Sequence, residues 1–200
     1  MIITIQDKAT HTTAAIDSLG AQLISLKDSA QKEYIWQRDP EIWPRCSPLL
    51  FPAVGNCRKG RTLFEGQWFE MEKHGFCKES DFSVEGQEED SVTFRLSANA
   101  QTRCSYPYEF RLSLTYRLGN GVLCMDYQVE NLDSREICYC IGSHPGFICP
   151  LSEGESFEDY QLEFEKEENT WTMPYDLQAL QFDAERQGLS LEHTRILPLS

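Results

Sequence analysis

The sequence predicts an all-β protein, an antiparallel β-sandwich, and a few observations carry the prediction. Apolar and polar residues alternate with the period of a strand over long stretches, as expected where one face of a sheet is buried. Turn-forming residues separate those stretches at short intervals, the pattern of a sandwich. Helical periodicity is scarce, its best instance being Asp176 to Gln187, long enough for a turn or two.

The strongest element is a hairpin. Phe110, Leu112, Leu114, Tyr116 and Leu118 alternate with Arg111, Ser113, Thr115 and Arg117. Asn120-Gly121 then supplies two residues suited to positive φ in a tight turn. Leu123, Met125, Tyr127 and Val129 follow, alternating with Cys124, Asp126, Gln128 and Glu130. Val92, Phe94 and Leu96 give the strand before it, so the run reads as an antiparallel meander with one buried face. Further strands are expected at Ile2 to Gln6, Thr12 to Ile16 and Ala21 to Lys27, an opening meander. Others are expected at Thr62 to Glu65, Gln67 to Met71, Asp81 to Glu85 and Glu136 to Ile141. The acidic run Glu163 to Glu168 suits a solvated strand end. The long irregular stretch is Trp36 to Gly60, carrying Pro40, Pro44, Pro48 and Pro52. A loop of that length in a compact domain is usually functional, and its apolar content predicts that it packs onto something.

Composition narrows the function classes. Eighteen basic against 32 acidic residues leave a net charge of −14, which argues against nucleic acid and against an anionic membrane surface as partners. The 11 Phe, 8 Tyr and 4 Trp promise a substantial core. The longest apolar stretches, such as Leu49-Leu50-Phe51-Pro52-Ala53-Val54, fall far short of the roughly 20 residues a membrane-spanning helix needs. The start, MIITIQDKATH, has no secretory pattern, so a cytoplasmic location and reduced cysteines are expected. The eight cysteines include no CxxC pair, so the spacing of a zinc or thioredoxin-like site is absent, and several sit in apolar strands as small hydrophobes.

Two of the four histidines have unusual surroundings. His74 lies in Lys73-His74-Gly75-Phe76, and His144 in Gly142-Ser143-His144-Pro145-Gly146-Phe147. Both follow an expected strand and enter a turn containing glycine, which permits positive φ or close backbone approach. Pro145 favours an extended backbone at His144. A fixed strand end is a good mount for a working imidazole; the alternative for each is a satisfied, half-buried histidine. His11 and His193 lack such context and read as surface residues.

Several short motifs occur in order: Gly20-Ala21-Gln22-Leu23, Tyr34-Ile35-Trp36, Ser47-Pro48-Leu49-Leu50-Phe51-Pro52, His74-Gly75-Phe76, Tyr106-Pro107-Tyr108-Glu109-Phe110, Val129-Glu130-Asn131 and Gly142-Ser143-His144-Pro145-Gly146-Phe147. Together they resemble the aldose 1-epimerases, or galactose mutarotases, in their LacX-like branch, from about Ile2 to Leu199. The resemblance implies one large antiparallel β-sandwich domain of the galactose mutarotase-like kind over residues 1–200. It implies interconversion of the α and β anomers of a free aldose, with neither metal nor other cofactor. Ring opening needs a base at the anomeric hydroxyl and an acid at the ring oxygen, and histidine and carboxylate suit these roles. By resemblance His144 matches the catalytic general acid and His74 a substrate-orienting histidine. Arg58, in Gly55-Asn56-Cys57-Arg58, matches a sugar-binding arginine, with a plain surface charge as the alternative.

The chain departs from the family pattern in two places. Cys77-Lys78 stands where relatives often carry Ala-Arg, and a lysine cannot make a planar bidentate contact. The family's sugar-binding aspartate and its catalytic glutamate, the base, belong to a later segment than Leu197-Pro198-Leu199, so the sandwich is expected to lack its last strands. Asp183, Glu185 and Glu192 precede that region and are not assigned the role. Strands missing from a sandwich leave open edges, which association with a second copy would cover. Two readings follow: an aldose 1-epimerase, or a catalytically impaired sugar-binding or interaction protein of the same fold. A metal-dependent isomerase of another β fold would need a tight His/Glu cluster that the sequence lacks. Arg58, Lys59 and Arg61 form a basic cluster too small to decide whether the sugar is phosphorylated.

Overall fold

The computed structural model describes residues 1–171, 174–176, 181–182 and 190–199. It divides into two compact units, Met1–Ile148 and Cys149–Ser200. Helix among the described residues is limited to one four-residue turn, Ala100–Arg103, and three 3-10 turns. No described helix is long and apolar enough to cross a membrane.

In the first unit, β1 (Ile2–Asp7), β2 (Thr12–Asp17) and β3 (Gln22–Lys27) form an antiparallel meander. Its register sets Ile3 opposite Ile16 and Ile5 opposite Ala14, so four apolar side chains face one way. The short β4 (Leu49–Leu50) follows, then a hairpin of β5 (Arg61–Phe64) and β6 (Gln67–Glu70) turning at Glu65-Gly66, both with positive φ. β7 (Ser83–Gln87), β8 (Ser91–Ser97), β9 (Phe110–Gly119) and β10 (Val122–Asn131) make a four-stranded antiparallel sheet in the order β10-β9-β8-β7. Finally β11 (Gly142–Ser143) pairs with β4.

The two main sheets share one core, which makes the unit a β-sandwich. Ile3, Ile5, Ala14 and Ile16 from the first meet Val92, Phe94, Leu112, Leu114 and Tyr116 from the second, all almost completely buried. The alternation of β8 and β9 produces this face directly, since Leu112, Leu114 and Tyr116 pair with Leu96, Phe94 and Val92. Asn120 and Gly121 have φ of 54° and 72°, as a tight turn between β9 and β10 requires. Two polar ties cross the sandwich. The Tyr116 hydroxyl donates to the Ala21 carbonyl at 2.7 Å. The Asp7 carboxylate accepts from the Thr10 hydroxyl at 2.7 Å and from the Gly121 and Ala9 amides at 2.9 Å, joining the two hairpin turns. These hydrogen bonds, Thr10 first, hold the Asp7 carboxyl down at about 2.

The structure corrects the expectations in four places. Glu136 to Ile141 belongs to no ladder; the Cys140 amide donates to the Pro52 carbonyl instead. Its alternation is that of a strand, but alternation cannot supply a neighbouring edge to pair with. Asp81 forms only an isolated bridge to Leu19, and β7 begins at Ser83 and bulges between Val84 and Gly86. Only Cys46 and Cys77 of the eight cysteines are buried, and Cys104, Cys124, Cys138 and Cys140 are exposed; all eight are free thiols.

The fourth correction lies in the second unit. There β12 (Gln161–Trp171), β13 (Tyr175–Asp176), β14 (Gln181–Phe182) and β15 (Ser190–Pro198) pair as β12 with β15 and β13 with β14. The acidic run lies inside β12 rather than at its end, and the register shifts between Glu163 and Glu168. Where a helix was expected at Asp176 to Gln187, Asp176 and Gln181–Phe182 are in strands. The rest of that stretch, with Asp183 and Glu185, lies outside the described residues.

The buried Tyr116 hydroxyl gives the first prediction. Tyr116→Phe keeps the ring and leaves the Ala21 carbonyl without this donor, so stability should fall by about 1–3 kcal/mol. Urea unfolding of the two proteins measures it, and an unchanged midpoint would show that the tie contributes nothing.

Candidate functional site

The site is built where two glycine turns meet β4. The first turn leaves β6 and carries His74 and Gly75, with φ of 68° and 72°. A Cβ on Gly75 would lie 2.1 Å from the Phe51 carbonyl oxygen, so no other residue fits there. The turn closes onto Phe51, whose carbonyl accepts the Phe76 amide at 3.1 Å while its own amide donates to the His74 carbonyl at 3.2 Å. Phe51 is wholly buried among the rings of Phe76, Tyr106, Phe110 and Tyr139.

His74 is half-buried and held at both ends. Its amide donates to the Gly55 carbonyl at 2.9 Å, and the Gly55 amide donates to its Nδ1 at 3.0 Å. An Nδ1 that accepts carries no proton, so the neutral ring carries its proton on Nε2. Burial, then the charges of Lys73, His144 and Lys78, push the His74 pKa below its ordinary value. Lys78 also braces the turn, because its ammonium donates to the Gly75 carbonyl at 2.7 Å and pairs with Glu72 at 3.1 Å.

The second turn carries His144. Ser143 pairs with Leu49 across β11 and β4, and the His144 amide donates to the Pro48 carbonyl at 3.1 Å. The imidazole is exposed, and its ring centroid lies 6.0 Å from that of His74 and 5.2 Å from that of Trp43. The structure thus brings His74 and His144 together. Arg58 lies in the 3-10 turn Arg58–Gly60, a few residues beyond Gly55; its side chain is exposed and makes no hydrogen bond or ion pair among the described residues. His11 and His193 are exposed, as is Glu192.

Trp43 and Gly55 are site residues that the sequence reading did not single out, and Lys78 stood there only as a departure from the family pattern. The Pro-rich loop gave the one available signal for Trp43, since its apolar content implied a surface to pack on. A cavity of about 560 Å³ opens nearby, lined by Val54, Cys57, Phe64, Tyr108 and Tyr139 among others, but neither imidazole lines it. Among the described residues no group of three His, Cys, Asp or Glu side chains is placed to hold a metal ion, and no carboxylate pairs with either imidazole.

Comparison with known proteins gives this geometry a context. The family model described as aldose 1-epimerase matches residues 1–192. Protein LacX of Lactococcus lactis subsp. lactis is 39% identical over 173 residues, which cover 84% of this chain and 58% of LacX. A galactose mutarotase related enzyme from Lactobacillus acidophilus superposes with a TM-score of 0.91 at 30% identity, covering 100% of this chain and 65% of that one. A galactose mutarotase-like protein from Lactobacillus casei does so with a TM-score of 0.84 at 31% identity, covering 100% and 67%. The chain therefore spans less than two thirds of LacX.

The depressed pKa of His74 predicts a pH dependence. Below the ordinary value of 6.5 the unfolded chain takes up a proton more readily than the folded one, so acid favours unfolding. The stability that His74 contributes is complete above that value and is lost as the pH falls from there through the lowered value of the folded protein. Unfolding midpoints measured from neutral to mildly acidic pH should fall less steeply in His74→Gln than in the parent. Parallel slopes would show that His74 takes up its proton as easily folded as unfolded.

Proposed function

We propose that this chain, which belongs to the aldose 1-epimerase family, binds a free aldose at the His74–His144 pair and assists exchange of its anomers by acid–base ring opening. The observation that carries the reading is the pair itself, with ring centroids 6.0 Å apart and Nδ1 of His74 already occupied by the Gly55 amide. The remaining Nε2–H of His74 is a fixed donor, suited to orienting a sugar oxygen. His144, exposed beside it, delivers a proton to the ring oxygen as the C1–O bond opens and recovers it as the ring closes on the other carbonyl face. Arg58 supplies a further donor from the neighbouring loop. The anomeric hydroxyl needs a carboxylate as base, and none accompanies the two imidazoles among the described residues.

That incomplete pairing sets the expected activity. Assistance by one acid or base typically contributes about 10²–10⁴-fold. Residues 1–200 alone should accelerate mutarotation of glucose or galactose weakly, through the acid alone. A longer version carrying the family's later Asp and Glu should be far faster and should lose most of its activity on His144→Ala. Polarimetry of freshly dissolved α-anomer measures both. If the longer version keeps its rate after His144→Ala, the acid has been misassigned. Full activity in the 200-residue chain would point to a base from another carboxylate or from a second copy.

A further inference from the structure

His144 is less well held than its partner. The His74 imidazole has a hydrogen bond to the Gly55 amide, whereas among the described residues neither ring nitrogen of His144 has one. The backbone at His144 is fixed through Pro48, but a fixed backbone leaves an exposed side chain its choice of staggered rotamers. Two ring contacts remain, to His74 and to Trp43, and the indole is the closer and larger.

The indole is itself anchored. The Trp43 amide donates to the Asp39 carbonyl at 2.7 Å, and its carbonyl accepts the Trp36 Nε1–H at 2.8 Å. The Trp36 amide donates in turn to the Gly146 carbonyl at 2.9 Å. A Cβ on Gly146 would stand 2.7 Å from Cζ3 of Trp43 and 3.0 Å from Cβ of Trp36. The bare glycine is what lets both tryptophans close on the turn that carries His144. The two tryptophans and the histidine turn therefore form one clamp, with the Trp43 ring tilted 50° against the imidazole.

From this clamp we propose that Trp43 is a positioning residue that holds the His144 imidazole in the rotamer facing His74. The inference rests on the reading of His144 as the acid, because an acid aimed away from the ring oxygen contributes little; a misplacement of about 1 Å can cost on the order of 100-fold. It gives the long Pro-rich loop a specific task. The apolar wall restricts the imidazole without taking up either of its nitrogens, which stay available for proton transfer.

Nuclear magnetic resonance on the 200-residue chain tests it, since four histidines make the imidazole signals easy to assign. In the parent, side-chain couplings and contacts with the indole protons should report one rotamer at His144. Trp43→Leu should average it over several rotamers, and Trp43→Phe, which keeps a flat wall, should restore the single one. The Gly55 amide, bonded to His74, should stay in place in both as evidence that the fold survives. A single rotamer persisting in Trp43→Leu, or equal averaging in the leucine and phenylalanine variants, would overturn the inference. If Trp43→Leu does not fold, Trp36→Phe decides, because it removes the bond to the Trp43 carbonyl and should loosen His144 in part; no loosening there also overturns it. Polarimetry on the same proteins reads the enzymatic proposal separately. A locked imidazole without any mutarotation would remove that proposal and leave the positioning role standing. Where mutarotation is seen, Trp43→Leu should lower kcat and leave KM nearly unchanged.

Discussion

The contact between Gly75 and the Phe51 carbonyl is the constraint on which the site depends. A side chain at position 75 would overlap that oxygen, and the backbone there has positive φ, so glycine satisfies two demands at once. Phe51 is wholly buried in an aromatic cluster, which makes it a fixed reference point. The turn that holds His74 is thereby bonded to the core itself. The Gly55 amide then sets the imidazole, and a ring fixed at Nδ1 keeps a single tautomer.

The same strand sets the second histidine. Ser143 pairs with Leu49, and Gly75 bridges to Phe51. Residues two apart on a strand are separated by about 6.6 Å and point to the same side. The imidazoles, carried by the residues next to Ser143 and Gly75, have centroids 6.0 Å apart. Leu49 to Phe51 acts as a ruler that receives one histidine turn at each end, so residues far apart in sequence arrive at a fixed separation. Leu49, Leu50 and Phe51 are themselves buried, and the ruler is held by the core it helps to form.

Much of this was legible in the sequence, and the reason differs by element. β8, β9 and β10 were found within a residue or so of their ends, because alternation over a half-buried sheet is a direct record of burial. Asn120-Gly121 was legible because positive φ at consecutive residues restricts the choice of amino acid. The two histidine turns stood out for a similar reason, their glycines. Glu136 to Ile141 misled because alternation records faces and not partners. The β12–β15 pairing left little trace, since most of its side chains are exposed and no apolar face repeats along it. Trp43 went unnoticed because a ring that packs on another ring from an irregular loop obeys no period. Lys78 appeared only as a departure from a motif, and its bond to the Gly75 carbonyl depends on a turn that only the fold reveals.

The surroundings of the two imidazoles differ, and with them what each ring offers a ligand. The protein carries a net charge of −14, a field that by itself would favour protonated histidine. At His74 the immediate surroundings oppose it: burial comes first, then the charges of Lys73, His144 and Lys78. A neutral His74 with Nδ1 occupied keeps its Nε2–H as a donor and has no easy way to release it. His144 is exposed, carries no hydrogen bond on its ring among the described residues, and leans on an apolar indole. Its nitrogens are open to both water and a ligand. One imidazole is fixed as a donor by burial and a backbone amide, and the other is exposed with no fixed partner among the described residues. Under the proposed function, that contrast lets one imidazole orient the sugar while the other moves the proton. In this chain the contrast between the two rings rests on a bare glycine against a carbonyl, one backbone amide, two lysines and a tryptophan.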